Sequence, residues 1–454
     1  MEFSNLFFLY IFLPLTISVY FLVPQIRGKN YVLIAASLLF YAMGQPYYLP
    51  LLLLTAYANY ALAHRVQDGN RAMLAAAVGG NLAILLLFKL LGQFTSVALP
   101  IGISFYTFQL VSYQVDVYRG KTRPAQYFSK LLLYVSMFPK MVMGPIVRYE
   151  QVEKQLERRR TNPKAIFEGL IRFVVGLAKK VLIADYAYGV YDQLSKQAFG
   201  GAAWLGALMF MFYIYFEFSG CTDMAIGLGR VFGFRYAENF DVPYASSSIT
   251  DFWRRWHITL GSFFRDYVYI PLGGNRKGKA RQILNLLVVW ALTGLWHGTS
   301  LNFILWGLYF FVLLAIEKQI MPKLERLPFA LRNLLTMFFV LIGWVLFAHE
   351  NMTELGNTFA MMFGKGTFWS GSVTVILKNS VPLLLLCLLG SSMLPRWLAA
   401  IWSILLVRQK KQNRFSLLQT LHAVSLLLFA AFLLYLCTAS LVGASSKPSL
   451  YASF

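Results

Sequence analysis

Between residues 31 and 63 the chain carries no charged side chain, and the same is true of residues 72–88, 90–115 and 282–316. Uninterrupted apolar runs of this length suit a bilayer, whose hydrocarbon core of ~30 Å takes about 20 residues of helix per crossing. Backbone N–H and C=O groups cannot be left unbonded in lipid, so spans are helices or closed barrels. These runs lack the alternation of barrel strands and read as helices. Of the 454 residues only 13% are charged and 58% are hydrophobic, against roughly 25% charged in a soluble domain. The expected fold is therefore all-α and polytopic: a single membrane domain over residues 1–454 with about ten transmembrane helices.

The breaks within the runs fix its outline. Gly44-Gln45-Pro46 splits the first into a hairpin, Lys89 separates the next two, and Pro100-Ile101-Gly102 interrupts the third. The stretch 282–316 is long enough for two helices. Glu2 and the long apolar segment behind it argue for a retained N-terminal span rather than a signal peptide. With Arg27 and Lys29 following that span and no basic residue preceding it, residues 24–30 are expected on the cytoplasmic side. The excess of 41 Lys and Arg over 19 Asp and Glu has the same origin, topology, and no nucleic-acid partner is expected. EQVEKQLERRR, residues 150–160, reads as an interfacial helix anchored in headgroups. Simple alternation of sides fails around 119–180 and 230–281, which calls for re-entrant or interface-lying helices around a funnel.

Chemistry concentrates in residues 217–298. His297 lies inside the uncharged 282–316 run, and an ionisable group at membrane depth faces a cavity or a partner. Gly294 and Gly298 beside it permit close backbone approach or a helix break. His257 stands in DFWRRWH behind Arg254 and Arg255, whose planar forks suit phosphate or carboxylate. Glu217 and Asp223, in one apolar run, can pair with a buried cation or orient a histidine. Gly273-Gly274-Asn275-Arg276-Lys277-Gly278-Lys279 has the spacing of a phosphate loop, but Ala280 replaces the Ser or Thr that reaches magnesium, so it reads as a basic turn outside the bilayer. Cys221, Cys387 and Cys437 lie far apart, without metal or disulfide spacing, and no metal is expected.

LLFYAMGQPYYL, FPKMVMGPIVRY, GLAKKVLIADYAYGVYD, YFEFSGCTDMAIGLGRVFGF, ENFDVPYASSSITDFWRRWHITLGSFFRDYVYIPLGGNRKG and LTGLWHG together resemble the membrane-bound O-acyltransferase family, in its bacterial branch that acetylates exopolysaccharides such as alginate. The resemblance implies a helical ring around a funnel, His297 as the catalytic residue and His257 as its companion. It further implies Arg254, Arg255, Trp296, Asn275 and Arg276 near the substrates. It implies acetyl-CoA or another acyl thioester as donor substrate with no bound cofactor, and a multi-pass location in the bacterial plasma membrane. An exported partner would acetylate the polysaccharide. Glu217 and Cys221 stand where the family favours Asp and Tyr, and PSLYASF is a loose version of its Phe-ending tail, where a partner is engaged. D-alanine transfer to teichoic acid is the nearest alternative. A transporter with a histidine proton relay is the alternative of another class, and a scaffold for polysaccharide export is a third.

Overall fold

The computed structural model describes residues 2–95, 97–410 and 415–443; the tail PSLYASF lies outside them. The described residues are helical, with no strand beyond an isolated bridge between Phe240 and Trp256. Six helices are long and apolar enough to cross a membrane.

A short helix α1 (Leu13–Leu22) leads into the hairpin of α2 (Ile26–Gly44) and α3 (Leu49–Gln67). Its corner is the expected one: Gln45 leaves helical geometry ahead of Pro46, and its side chain accepts from Ile101 N–H at 2.7 Å while donating to Leu99 C=O at 3.1 Å. Helix α4 (Arg71–Phe94) runs straight through Lys89, so that residue does not end a span; its ammonium is satisfied across the bilayer interior, as described below. Next comes α5 (Ile103–Tyr118), buried along almost its whole length. It begins at Gly102, where φ is +70° and a Cβ would stand 2.6 Å from Met141 C=O, so only glycine fits. Asn59 and Asn81 pair reciprocally, and Gln114 Nε2 donates to Asn59 Oδ1 at 3.0 Å, which joins α3, α4 and α5 by polar contacts inside the bundle.

The apolar segment 131–147 does not cross the bundle. Helix α6 (Phe128–Ser136) stops at Met137, α7 (Phe138–Met141) lasts one turn, and the chain returns to α8 (Tyr149–Glu157). Lys130 at the start of this excursion pairs with Glu157 at its end, so both ends lie on one side, the re-entrant geometry that the charge pattern required. Lys140 at the turn is fully buried and donates to Gln109 Oε1 at 2.6 Å and to Tyr134 C=O. As an interfacial helix α8 buries Tyr149, Val152 and Leu156. Arg159, just beyond it, departs from the headgroup role. It turns inward and donates to Tyr20 OH and Phe232 C=O, both at 3.0 Å, because a buried carbonyl at a helix end accepts a guanidinium better than it tolerates isolation.

Helix α9 (Pro163–Ala178) continues through a π-helical turn at Lys179–Ala184 into α10 (Asp185–Ser195) and packs on α11 (Gly200–Val231). With 32 residues, α11 is ~48 Å long, more than a bilayer core needs. It is the central pillar: 83% of its most apolar stretch is buried, against 11% for the outer helix near the C-terminus. Its contact with α9 is set by two reciprocal glycine pairs. A Cβ on Gly176 would meet Gly220 C=O at 2.6 Å, and one on Gly169 would meet Gly227 C=O at 2.7 Å. Beside them Asp223 holds Arg172 at 2.7 Å and Lys179 at 2.6 Å, and Glu217 holds Lys180 at 2.8 Å. Both carboxylates thus serve the helix interface rather than a histidine.

Residues 232–278 make only short elements, α12 (Ile249–Arg255), α13 (Ile258–Phe264) and a π-helical turn at Arg265–Tyr269, before α14 (Lys279–His297) and α15 (Leu301–Leu324) form the second hairpin. The 282–316 run is therefore two helices, and His297 is the last residue of the first rather than the middle of a span. Helices α16 (Phe329–Ala348), α17 (Met352–Met362), α18 (Gly371–Ser391), α19 (Leu394–Lys410) and α20 (Phe415–Gly443) complete the described chain. The exposed side chains Leu427, Leu428, Phe429 and Phe432 on α20 and Leu385, Leu388 and Leu389 on α18 form the lipid-facing surface.

Candidate active site

The link between α12 and α13 puts His257 in the left-handed region, φ +47°, which is costly for a residue with a Cβ and tends to accompany function. Asn239 holds it there. Its backbone carbonyl accepts from Ile258 N–H at 3.0 Å, and its side-chain oxygen accepts from Thr259 N–H at 3.1 Å and Thr259 Oγ1 at 2.8 Å. A backbone N–H can only donate, so the atom facing it is the amide oxygen, and His257 Nδ1, 3.1 Å from the same atom, must carry the proton. The lone pair of His257 is therefore on Nε2, which is buried and has no hydrogen-bond partner among the described residues.

His297, at the C-terminal end of α14, is boxed by rings: Trp306 and Phe347, each with its centroid 5.1 Å away, and Trp296 at 4.7 Å. Trp296 also lies 6.1 Å from the ring of His257, so one indole neighbours both imidazoles. Its outer wall is Phe108, stacked at 5.5 Å. Both histidines are buried, at 3% and 6% exposure. The surrounding indole nitrogens, those of Trp253, Trp296, Trp306 and Trp344, are buried and unbonded among the described residues. Buried polar groups are normally paired. A cluster of orphaned N–H groups beside two imidazoles is a place for a ligand oxygen that the protein alone does not supply.

Of the residues singled out from sequence, the fold gathers His257, Trp296 and His297. The other four stand apart. Arg254 is exposed, Arg255 is paired with Asp251 at 2.9 Å, and Asn275 and Arg276 are exposed in the turn before α14. Arg254 and Arg255 do not share the space of His257, because the left-handed turn sends the imidazole inward while α12 keeps the guanidiniums at its surface.

The depth of the site follows from its neighbours. Arg71 binds Tyr118 OH, Arg119 binds Asp266 C=O, Asn30 binds Leu156 C=O and Lys130 pairs with Glu157, so these elements share one basic end. Asp266 at that end is pushed up by burial, but hydrogen bonds from Arg265 and Arg148 outweigh this and hold its carboxyl below the usual range. Lys89 of α4 reaches the carbonyls of Trp296 and His297 from a position ~27 Å along the helix from Arg71. Trp296 and His297 thus lie at the end of α4 away from the basic end.

The sequence pattern of the membrane-bound O-acyltransferase family matches residues 127–356, a segment that contains His257, Asn239 and His297. A probable alginate O-acetylase AlgI of Pseudomonas fluorescens is 40% identical over 382 residues, covering 82% of this chain and 77% of its own length.

The chain belongs to the membrane-bound O-acyltransferase family.

Two further relatives of this acyltransferase are named for other acceptors. A peptidoglycan O-acetyltransferase of Helicobacter pylori is 34% identical and covers 80% of each chain. A teichoic acid D-alanyltransferase of Bacillus subtilis is 29% identical and covers 55% of this chain and 68% of its own. In this member of the family the sequence reading missed Asn239 and the contact made by Lys89. A signal existed for Lys89, the sole charge between Ala72 and Val115, since a lone charge at membrane depth needs a reason. Asn239 carried none, because its partners are eighteen and twenty residues away.

Asn239→Leu is expected to strand three donors, Thr259 N–H, Thr259 Oγ1–H and His257 Nδ1–H. At about 1–3 kcal/mol for a buried unsatisfied group, the thermal midpoint of the detergent-purified protein should fall while Asn239→Asp, which keeps an acceptor, stays closer to wild type. An unchanged midpoint in the leucine variant would show that Asn239 does not hold the turn.

Proposed function

We propose that this acyltransferase moves an acetyl group from acetyl-CoA to a hydroxyl of an extracytoplasmic polysaccharide of the alginate or exopolysaccharide type, from the bacterial plasma membrane and with an exported partner completing the transfer. The observation that carries the reading is the buried cluster in which two imidazoles neighbour Trp296 amid unbonded indole N–H groups. A thioester is already activated, so the remaining task is to deprotonate a hydroxyl against its carbonyl, and a neutral imidazole suits that work. His297 takes the hydroxyl proton as the oxygen attacks the carbonyl carbon. The C–S bond then breaks, and the thiolate leaves with that proton, giving ester and free thiol. His257, its lone pair fixed on Nε2, accepts from a neighbouring hydroxyl of the acceptor sugar and so orients it, and the indole N–H groups of Trp296 and Trp306 beside His297 are the donors for the developing oxyanion. Arg254, Arg255, Asn275 and Arg276 lie where they attract the donor's phosphates before its acyl arm enters. Acetyl transfer is favoured over D-alanyl transfer because the relatives named as acetylating enzymes match over about four fifths of this chain.

The test uses membranes containing the protein, acetyl-labelled acetyl-CoA, and the acceptor glycan with its exported partner. Label is expected to reach the glycan, with release of one free thiol per ester. Acceptor-independent movement of solute with no ester formed would instead support a transporter.

A further inference from the structure

We infer that Lys89 is a positioning residue for the acyl-transfer centre, and that with Gln93 it forms a latch holding the C-terminal end of α14 on α4. The inference rests on the proposed role of His297 and adds the element that keeps it in place. Three observations converge. Lys89 lies on a helix of which only 17% of the apolar stretch is buried, yet its Nζ is within bonding distance of Trp296 C=O and 3.5 Å from His297 C=O. One turn further on, Gln93 Oε1 accepts from Thr299 Oγ1. Positions four apart share a helix face, so one stripe of α4 grips residues on both sides of the helix end. Among the described residues no carboxylate is paired with Lys89, so its bonds to α14 are what its charge is placed for.

The physics of a helix end explains the choice of a lysine. The last four carbonyls of α14 have no intrahelical donor, and they carry the negative end of the helix dipole. Gly298 is extended, with φ −175°, and interrupts the path into α15. A cation that donates to Trp296 C=O and lies near His297 C=O neutralises that end and fixes the backbone from which the imidazole projects. Without it, the segment 296–299 is anchored to α4 only through Thr299. A small displacement of His297 matters, because misplacing a reacting group by about 1 Å costs on the order of 10²-fold in rate.

A purely structural tie would lower the amount of folded protein, whereas a positioning role lowers turnover of protein that is folded. In the labelled acetyl-transfer assay, Lys89→Met is expected to reduce kcat by about 10- to 100-fold with KM for acetyl-CoA changed less than about twofold. Lys89→Arg, which keeps a cationic donor, is expected to recover most of kcat, and Gln93→Leu to show a smaller loss of the same kind. Added to His297→Ala, Lys89→Met is expected to cause no further loss, since the latch acts through that side chain. Wild-type kcat in Lys89→Met alongside an inactive His297→Ala overturns the latch and leaves the proposed role of His297 standing. Wild-type kcat in His297→Ala overturns both. Should Lys89→Met raise KM and spare kcat, or Lys89→Arg fail to recover activity, the latch is likewise overturned.

Discussion

His297→Ala is expected to reduce acetyl transfer by about 10²- to 10⁴-fold, the range that a positioned general base contributes, with the protein still folded. Its neighbours make the second half of that expectation firm. The imidazole sits against Trp296, Trp306 and Phe347, which also contact one another or further rings, so truncation leaves a pocket walled by rigid aromatics rather than a collapsed core. The helix end that carries it is held by backbone groups that the substitution does not touch. His257→Ala is expected to lose less, since orienting the acceptor is worth less than accepting the reacting proton, and the two losses together should be far from additive because both imidazoles address one acceptor sugar. The measurement is the initial rate of label transfer per folded molecule, with folded protein quantified by size exclusion in detergent. Full transfer by His297→Ala would remove the imidazole from the reaction and shift attention to Nε2 of His257.

Gly176→Val is expected to abolish the fold rather than the chemistry. The added Cβ would lie 2.6 Å from Gly220 C=O and 2.8 Å from Met224 N, and both obstacles are backbone atoms of the central helix that cannot rotate away. Overpacking a well-filled core typically costs about 1–3 kcal/mol. Here α9 and α11 must also part at the point where Lys179 binds Asp223 and Lys180 binds Glu217. Separating a buried ion pair strands charges in an apolar medium, a further cost of about 3–5 kcal/mol, so the sum reaches the whole stability of an ordinary domain. The same substitution at Gly79 of α4, where a Cβ would meet nothing within 4 Å, is the control. Yield of monodisperse protein should collapse for Gly176→Val and stay near wild type for Gly79→Val. Equal yields would mean that the α9–α11 crossing is not the fixed point of the bundle.

Several features were legible without coordinates because their causes are local. Gln45 and Pro46 bend the first hairpin wherever they are placed, and the Gly298 break needs only its own backbone freedom. A histidine in an uncharged run announces itself by its cost in lipid, which is why His297 stood out as a candidate. Other features eluded hydropathy for a definite reason. Lipid and protein interior are equally apolar, so α4, which faces lipid, and α11, which is the buried pillar, read alike in composition. Nor does a charge show in sequence whether it reaches headgroups or a partner inside. Arg159, Arg254 and Arg255 all look interfacial, yet Arg159 turns inward to two oxygen acceptors and Arg254 and Arg255 remain outside.

By itself, then, the sequence determined the solvent of this protein and the helical class that solvent enforces, and it singled out two imidazoles, because each depends on residue type or on neighbours within a turn or two. Only the tertiary structure decided which helix is core and which is rim, that Asn239 sets the tautomer of His257, that one indole neighbours both histidines, and that Lys89 caps the helix end beneath His297. Those facts depend on side chains up to two hundred residues apart meeting within a few ångströms, and such proximity is a property of the packed bundle alone.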